Sequence, residues 1–469
     1  MENLNPLKSI TPIDGRYREK LEKLEEYFSE YAFIKERLII EVEYLVKFLE
    51  EVEPSILKNL PENWKQILDN IIIEFDLREA EKIKEVERRV GHDVVAITIY
   101  LREKLRQIGL EDITRFIHFG LTSEDVNNIA YSTLLRKFNR EVFIPMIMNF
   151  LDKLENLVLE HVSTVIVSRT HGVPAVPTTL GRFLANYLYR VARISVDIAS
   201  TIFPAKIGGA VGDLNALTLT YPNIDWHSFI ESFIKSRGLE YFPASTQILP
   251  HDENSKYFSK IAILNSIISN FCRDLWFLSL LGYVSFHPLE SEIHSSTMPH
   301  KSNPTLLENA EGALDLASNI LSYMSTRLIS SRLHRDLSDS VIKRFYGLPL
   351  SLTILGLINL CLALDRVRIN KDKIEKDLKE YPEVLAEAYQ VVLRKKGVTE
   401  AYEIVRHTLR EEKKDVINRL RKIIPADLLD ELEKISLENY IGKAVEITFK
   451  LLEKTRELKE TMLKKIDVK

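Results

Sequence analysis

FYGLPLSLTILGLINLCLAL, residues 345–364, is a run of 20 residues without a charge. About 20 apolar residues are what a helix needs to cross a bilayer. This run stands alone, however, and it contains Gly347, Pro349, Ser351, Thr353, Gly356 and Asn359. A helix that is apolar all round can also be buried inside a large soluble protein. The run is therefore expected to be a core helix of a bundle or oligomer. The composition agrees: 16 glycines and 17 prolines in 469 residues fall well below the average usage of about 12%. So few breakers leave room for long helices rather than many short strands. Hydrophobic residues at 45% and charged residues at 28% fit a soluble globular chain with a sizeable core.

Working outward from this run, helical spacing recurs along most of the chain. Residues 18–51 read as an amphipathic helix, with Leu21, Leu24, Phe28, Tyr31 and Ile34 on one face. Residues 63–108 predict two or more helices broken near Gly91, and 124–161 predict one long helix. That helix opens at Leu-Thr-Ser-Glu-Asp, where Thr122 or Ser123 can cap and Glu124 and Asp125 complement the dipole. Further helical patterns fall at about 178–201, 226–238, 254–283, 304–330 and 338–366. Polar, breaker-rich stretches at 10–17, 168–178, 203–225, 241–253 and 287–304 read as loops. The expected fold is all-α in three helical domains. These are an N-terminal domain (1–112), a central long-helix bundle (113–365) and a C-terminal helical domain (366–469).

Charge and cysteine content narrow the function. The net charge is −4, whereas a general nucleic-acid coat is basic. A local anion site is still allowed. Two cysteines, Cys272 and Cys361, make no disulfide framework and fit a reducing cytoplasm. No Cys/His spacing resembles a zinc site. The segment MENLNPLKSITPIDGRY has no apolar run and does not read as a signal peptide.

Candidate chemistry sits in short polar loops that run into helix starts. Examples are Gly120 to Ser123, Arg169 to Gly172, Ser295 to Asn303 and Arg335 to Ser340. Asn303 is a good cap and Pro304 a good first helical residue. Helix N-termini present free N–H groups and a positive dipole, so several converging on one cleft would suit a substrate with carboxylates or a phosphate. The densest stretch is HSSTMPHKSNP at 294–304. A serine is a poor base unless a lysine and backbone amides stabilise its alkoxide; Ser295 and Lys301 supply that pair of residue types.

The pattern Ser295-Ser296-Thr297-Met298-Pro299-His300-Lys301-Ser302-Asn303 resembles the signature loop of the fumarase/aspartase superfamily. Within it, the chain resembles the adenylosuccinate lyase family. The supporting stretches are residues 12–17 (PIDGRY), 91–96 (GHDVVA), 118–126 (HFGLTSEDV) and 168–179 (SRTHGVPAVPTT). They continue with residues 246–252 (TQILPHD), 335–340 (RDLSDS) and 439–444 (NYIGKA). Together they cover nearly the whole chain.

The resemblance implies cleavage of adenylosuccinate to AMP and fumarate. It also implies release of fumarate from succinyl-aminoimidazole-carboxamide ribonucleotide, both in purine biosynthesis. The reaction is a β-elimination: a base removes a Cβ proton, a carbanion forms, and the C–N bond breaks as an acid protonates nitrogen. By similarity Ser295 is the base and His171 the acid, and the loop around Ser295 closes as a lid. Lys301 and Asn303 would hold the succinyl carboxylates, and Thr122 and Ser123 a carboxylate beside Thr170. Gln247 would bind the succinyl or base portion, and His92 and Asp93 the nucleotide. Arg16, Tyr17, Arg335, Ser340 and Arg344 resemble the phosphate-binding set, for which arginine geometry is well suited. His118 and Glu308 would support the site. No metal or organic cofactor is implied.

The resemblance also implies a cytoplasmic homotetramer whose sites each draw on three subunits, acting on small nucleotides and on neither nucleic acid nor membrane. One departure is His294, where the family usually has glycine before the paired serines. His161, His227, His287, His334 and His407 read as structural or surface residues, and His251 is undecided beside Gln247. Two alternatives share this pattern: another fumarate-releasing lyase such as argininosuccinate lyase, fumarase or aspartase, or an inactive structural homologue.

Overall fold

A computed structural model describes residues 5–287, 298, 302–411 and 416–467. The apolar run forms the helix Gly347–Asp365, buried on nearly all sides. It packs between Thr305–Arg327 and Ile144–Glu160. Gly356 sets the approach to the first of these: a Cβ there would lie 2.7 Å from Leu314 Cγ. Thr353 of the run is satisfied inside the bundle. Thr353 Oγ1 donates to the Pro349 carbonyl at 3.0 Å and accepts from Asn265 Nδ2 at 2.8 Å. Asn265 lies on Asp252–Leu280, which packs along Thr305–Arg327, while Leu180–Ala199 lies against both Ile144–Glu160 and Asp252–Leu280. These five helices are the bundle.

Residues 18–51 do not form one helix. Short turns, Arg18–Leu21, Glu22–Leu24 and Glu25–Phe28, end at Ser29. Ser29 is extended, and its side chain accepts from the Ala32 N–H to start Glu30–Glu51. A capping serine inside an otherwise continuous apolar spacing is what divides the pattern. The stretch 63–108 is three helices, Trp64–Ile73, Leu77–Val90 and Asp93–Gln107, with Gly91 at φ 72 closing the second. The pattern at 124–161 is Ser123–Phe138 and Ile144–Glu160, joined by a π turn at Asn139–Phe143. The final run likewise divides into Ser338–Arg344 and Gly347–Asp365.

The polar stretch at 168–178 is not a loop. Val165–Thr170 and Val173–Thr179 pair antiparallel, with Val165 opposite Thr179 and an irregularity between Val167 and Arg169. The following helix starts at Leu180, capped by Thr179 Oγ1 accepting from Arg182 N. Pro304 stands at the cap of Thr305–Arg327, one residue later than expected. Two further strand pairs are short: Pro204–Ala205 with Glu240–Tyr241, and Val284–Phe286 with Val367–Ile369.

Towards the C-terminus a separate apolar cluster forms around Leu393, Leu420 and Leu432. The last helix, Ala444–Asp467, instead returns to the bundle. Its Leu452 and Met462 join the main core, and Arg456 Nε meets Glu155 Oε1 at 2.7 Å.

Candidate active site

Segments far apart in sequence enclose a cavity of about 440 Å³. The start of Asp93–Gln107 supplies His92 and Asp93. The turn before Ser123–Phe138 supplies His118, Thr122 and Ser123. Gln247 comes from an irregular stretch, and the Ser338–Arg344 region contributes Arg335, Ser340 and Arg344. Nine of the residues singled out from the sequence therefore meet here.

Each is held by local structure. His92 caps its helix, with Nδ1 accepting from Val95 N at 3.4 Å and Nε2 lying 3.5 Å from Ser123 Oγ. His118 takes φ 60, an unusual conformation for a residue with a side chain. Gly120 follows at φ 73, and a Cβ there would lie 2.3 Å from Leu217 Cδ2. This tight turn delivers Thr122 to the helix start, where Asp125 Oδ2 accepts the Thr122 N–H at 2.7 Å. Gln247 Nε2 donates to the Ala210 carbonyl at 2.9 Å.

Several contributors lay beyond the sequence reading. Arg37 is buried in the cavity wall, its guanidinium 3.7 Å from the Phe33 ring centroid. It holds Asp93 Oδ2 at 2.9 Å, and Arg344 reaches the same oxygen at 3.0 Å. Burial pushes the Asp93 carboxyl up, but Arg37, the Val94 amide and Arg344 outweigh it and hold the group below its ordinary range. Lys343 bridges Glu124 Oε1 and Asp339 Oδ2, both at 2.7 Å. Asp339 also binds Arg335 at 2.9 Å and faces His251 Nε2 at 3.4 Å. Burial opposes ionisation of Asp339, yet His251, Lys343 and Arg335 bring its carboxyl far below the usual range. His251 is therefore a buried partner of the wall. One sequence signal pointed inward: Arg37 and Glu41 share the apolar face of Glu30–Glu51, four residues apart.

His118 has its own carboxylate, Glu41, with Oε1 2.6 Å from Nδ1. Burial favours the neutral ring, but the charge and hydrogen bond of Glu41, with Asp125 beyond, raise the imidazole above its ordinary value. Four cations (Arg37, Arg335, Lys343 and Arg344) and a helix N-terminus thus face the cavity alongside the Asp93 and Glu124 carboxylates. Guanidinium groups at a helix start are suited to a phosphate or carboxylate ligand.

The other described candidates lie elsewhere in this chain. Arg16 is exposed and Tyr17 half-buried, just before Arg18–Leu21. A second cavity of about 240 Å³ lies beside that segment, lined by Asp14 and Arg18, and Arg344 lines both cavities. Thr170 and His171 are exposed at the hairpin turn, where His171 and Gly172 take φ 54 and φ 80. Positive φ at both positions is what a two-residue hairpin turn of type I′ requires. Asn303 is half-buried beside Phe286 and His287. Glu308 is exposed, and Oε1 accepts from Trp276 Nε1 at 3.2 Å. Ser295, Lys301 and His294 lie outside the described residues.

Comparison with known proteins adds an independent line. A family model described as lyase matches residues 15–317, and one described as adenylosuccinate lyase C-terminal matches residues 331–441. An adenylosuccinate lyase of Buchnera aphidicola subsp. Baizongia pistaciae is 37% identical over 462 residues, 97% of this chain and 99% of the relative. The Escherichia coli K12 adenylosuccinate lyase is 35% identical over 448 residues, 94% of this chain and 98% of the relative. Two solved structures share the fold. The 3-carboxy-cis,cis-muconate lactonizing enzyme of Pseudomonas putida has a TM-score of 0.75 at 20% identity, covering 93% of this chain and 97% of its own. A fumarate lyase from Mesorhizobium sp. BNC1 has a TM-score of 0.75 at 19% identity, covering 92% and 97%. With both family models in order along the chain and full-length relatives above 30% identity, the chain belongs to the adenylosuccinate lyase family of the fumarase/aspartase superfamily.

Proposed function

We propose that this lyase cleaves adenylosuccinate to AMP and fumarate, and succinyl-aminoimidazole-carboxamide ribonucleotide to its carboxamide and fumarate, in cytoplasmic purine biosynthesis. The observation that carries the reading is the cavity itself. It gathers His92, Asp93, Thr122, Ser123, Gln247, Arg335, Ser340 and Arg344, the residues assigned by resemblance to the nucleotide and one carboxylate.

In this reading Ser295 takes the Cβ proton and the electron pair moves toward the neighbouring carboxylate. His171 then delivers a proton to the nitrogen as the C–N bond breaks. Lys301 and Asn303 hold the developing dianion, where preorganised charge is worth most. Arg16 and Tyr17 complete the phosphate set. Thr170 stands beside the carboxylate held at Thr122 and Ser123, and Glu308 supports the acid.

The hairpin bearing Thr170 and His171, and the helix start bearing Asn303 and Glu308, do not line the cavity of their own chain. That separation supports sites assembled from three subunits of a homotetramer. So do the large apolar side chains left exposed on the single chain: Trp276, Phe277 and Leu280 on one bundle helix, Leu316 and Tyr323 on its neighbour. Large exposed apolar patches mark interaction surfaces.

The test is direct. Purified protein should convert adenylosuccinate to AMP, followed by absorbance and chromatography. Turnover of argininosuccinate with no AMP from adenylosuccinate overturns the substrate.

A further inference from the structure

Behind the cavity lies a charge pair that the elimination chemistry does not use. Asp125 and Lys206 are both fully buried, with Lys206 Nζ 2.7 Å from Asp125 Oδ1. Lys206 follows the short strand Pro204–Ala205, and Asp125 sits in the first turn of Ser123–Phe138. Taking two charges from water is expensive, and an apolar pair of the same shape is often as stable or more so. The pair therefore invites a reason other than stability.

Its hydrogen bonds suggest one. Asp125 Oδ1 also accepts the Gly208 N–H at 2.8 Å. Oδ2 accepts from Thr122 N at 2.7 Å, Thr122 Oγ1 at 2.9 Å and Gly209 N at 3.2 Å. A capping carboxylate satisfies helix N–H groups; this one also ties down a second loop. The Lys206 ammonium in turn donates to the Gln247 carbonyl. The backbone of Lys206 is clamped on both sides by Asn128, whose Oδ1 accepts at 2.9 Å and whose Nδ2 donates at 3.0 Å. Gln247 closes the circuit by donating to Ala210 in the same loop. One buried ion pair thus joins the Thr122–Ser123 wall of the cavity to its Gln247 wall.

We propose that Lys206 is a positioning residue: its ammonium, locked on Asp125, fixes the Gln247 main chain at a set spacing from Thr122 and Ser123, and so sets the width of the succinyl end of the site. The proposal rests on the lyase reading, because Thr122 and Ser123 are assigned there to a succinyl carboxylate and Gln247 to the succinyl or base portion. Lys206 touches no substrate and acts through Gln247 and Asp125. The phosphate end, at Arg335, Ser340 and Arg344, is held by ion pairs around Asp339, which meet the Ser123–Phe138 helix through Glu124 rather than through Asp125.

The test uses full-length Lys206→Met and the double variant Asp125→Asn/Lys206→Met, assayed with adenylosuccinate beside the parent. The double variant removes the unpaired buried charge, so it decides the question if the single variant unfolds. In both, KM for adenylosuccinate should rise about tenfold or more, while competitive inhibition by inorganic phosphate stays within about twofold of the parent, since its ligands are untouched. In the double variant the melting temperature should recover toward the parent without recovery of KM. Recovery of KM together with stability overturns the proposal, as does an equal change in KM and phosphate inhibition, or no change in either. An inactive parent is a failure of the lyase reading instead. In that case the crystal structure of the double variant decides the inference: an unchanged separation of Gln247 from Thr122 overturns it.

Discussion

His118 Nδ1 lies 2.6 Å from Oε1 of Glu41, a carboxylate with no solvent exposure. The pair links Glu30–Glu51 to a turn whose backbone is forced to positive φ at His118. Such conformations are costly and persist where surrounding structure dictates them.

That pairing sets a pH dependence. The imidazole competes with burial and with Arg102, while Glu41 and Asp125 raise its pKa above the ordinary 6.5. A histidine raised on folding adds stability that is fully present below the ordinary value. The contribution disappears as pH climbs through the raised value. Glu41→Gln should flatten the loss of urea midpoint above pH 6.5 and lower the His118 titration seen by NMR. An unchanged His118 titration would sink the assignment.

Lys343 neutralises two buried carboxylates, Glu124 and Asp339, at 2.7 Å each. Removing one member of such a buried cluster strands uncompensated charge. Lys343→Met should cost about 3–5 kcal/mol, read as a lowered denaturant midpoint with an unchanged slope. A loss under about 1 kcal/mol would mean that the cluster is solvated in solution.

Gly356 lets two bundle helices touch. A Cβ there would stand 2.7 Å from Leu314 Cγ and 3.3 Å from the Ala310 carbonyl. Gly356→Ala should therefore destabilise by about 1–3 kcal/mol through overpacking, despite alanine's better helix propensity. Thermal melting gives the sign directly, and a raised midpoint contradicts the packing account.

For the proposed chemistry, Ser295→Ala and His171→Ala should each lower kcat by about a hundredfold to ten-thousandfold. KM should change far less, because both residues act on protons in flight rather than on binding. A Ser295→Ala protein as fast as the parent removes Ser295 as the base.

The exposed apolar side chains predict assembly. Phe277 is 55% and Leu280 68% exposed on the single chain. Phe277→Glu/Leu280→Glu should shift sedimentation from about four times 54.3 kDa toward the single-chain mass, with loss of activity if sites are shared. Activity that survives in monomers would remove the shared-site reading.

Much of this was written locally. Periodic apolar spacing and scarce breakers specify helices, and the 345–364 run announces its own burial. A cap at Thr122 or Ser123 was readable from its place before Glu124 and Asp125, and the structure gives it to Thr122. Ser29 was not, because its neighbours keep the helical spacing through it. The hairpin at 165–179 was hidden because its prolines and polar residues read as loop, although Pro174 and Pro177 can sit in a two-stranded ribbon. Motif resemblance identified nine cavity residues. It missed Arg37, Lys343 and Lys206, since a lysine or arginine in sequence reads as solvated surface.

The sequence by itself determined the helical class, the order of the long helices and the family, because each depends on spacing between near neighbours or on a short motif. Only the tertiary structure decided which charges are buried, what neutralises them, and which distant segments share a cavity. Lys343 meets Glu124 across 219 residues of chain, and Lys206 meets Asp125 across 81. No local pattern encodes such a meeting: the helices must first pack before the water that would solvate those charges is gone.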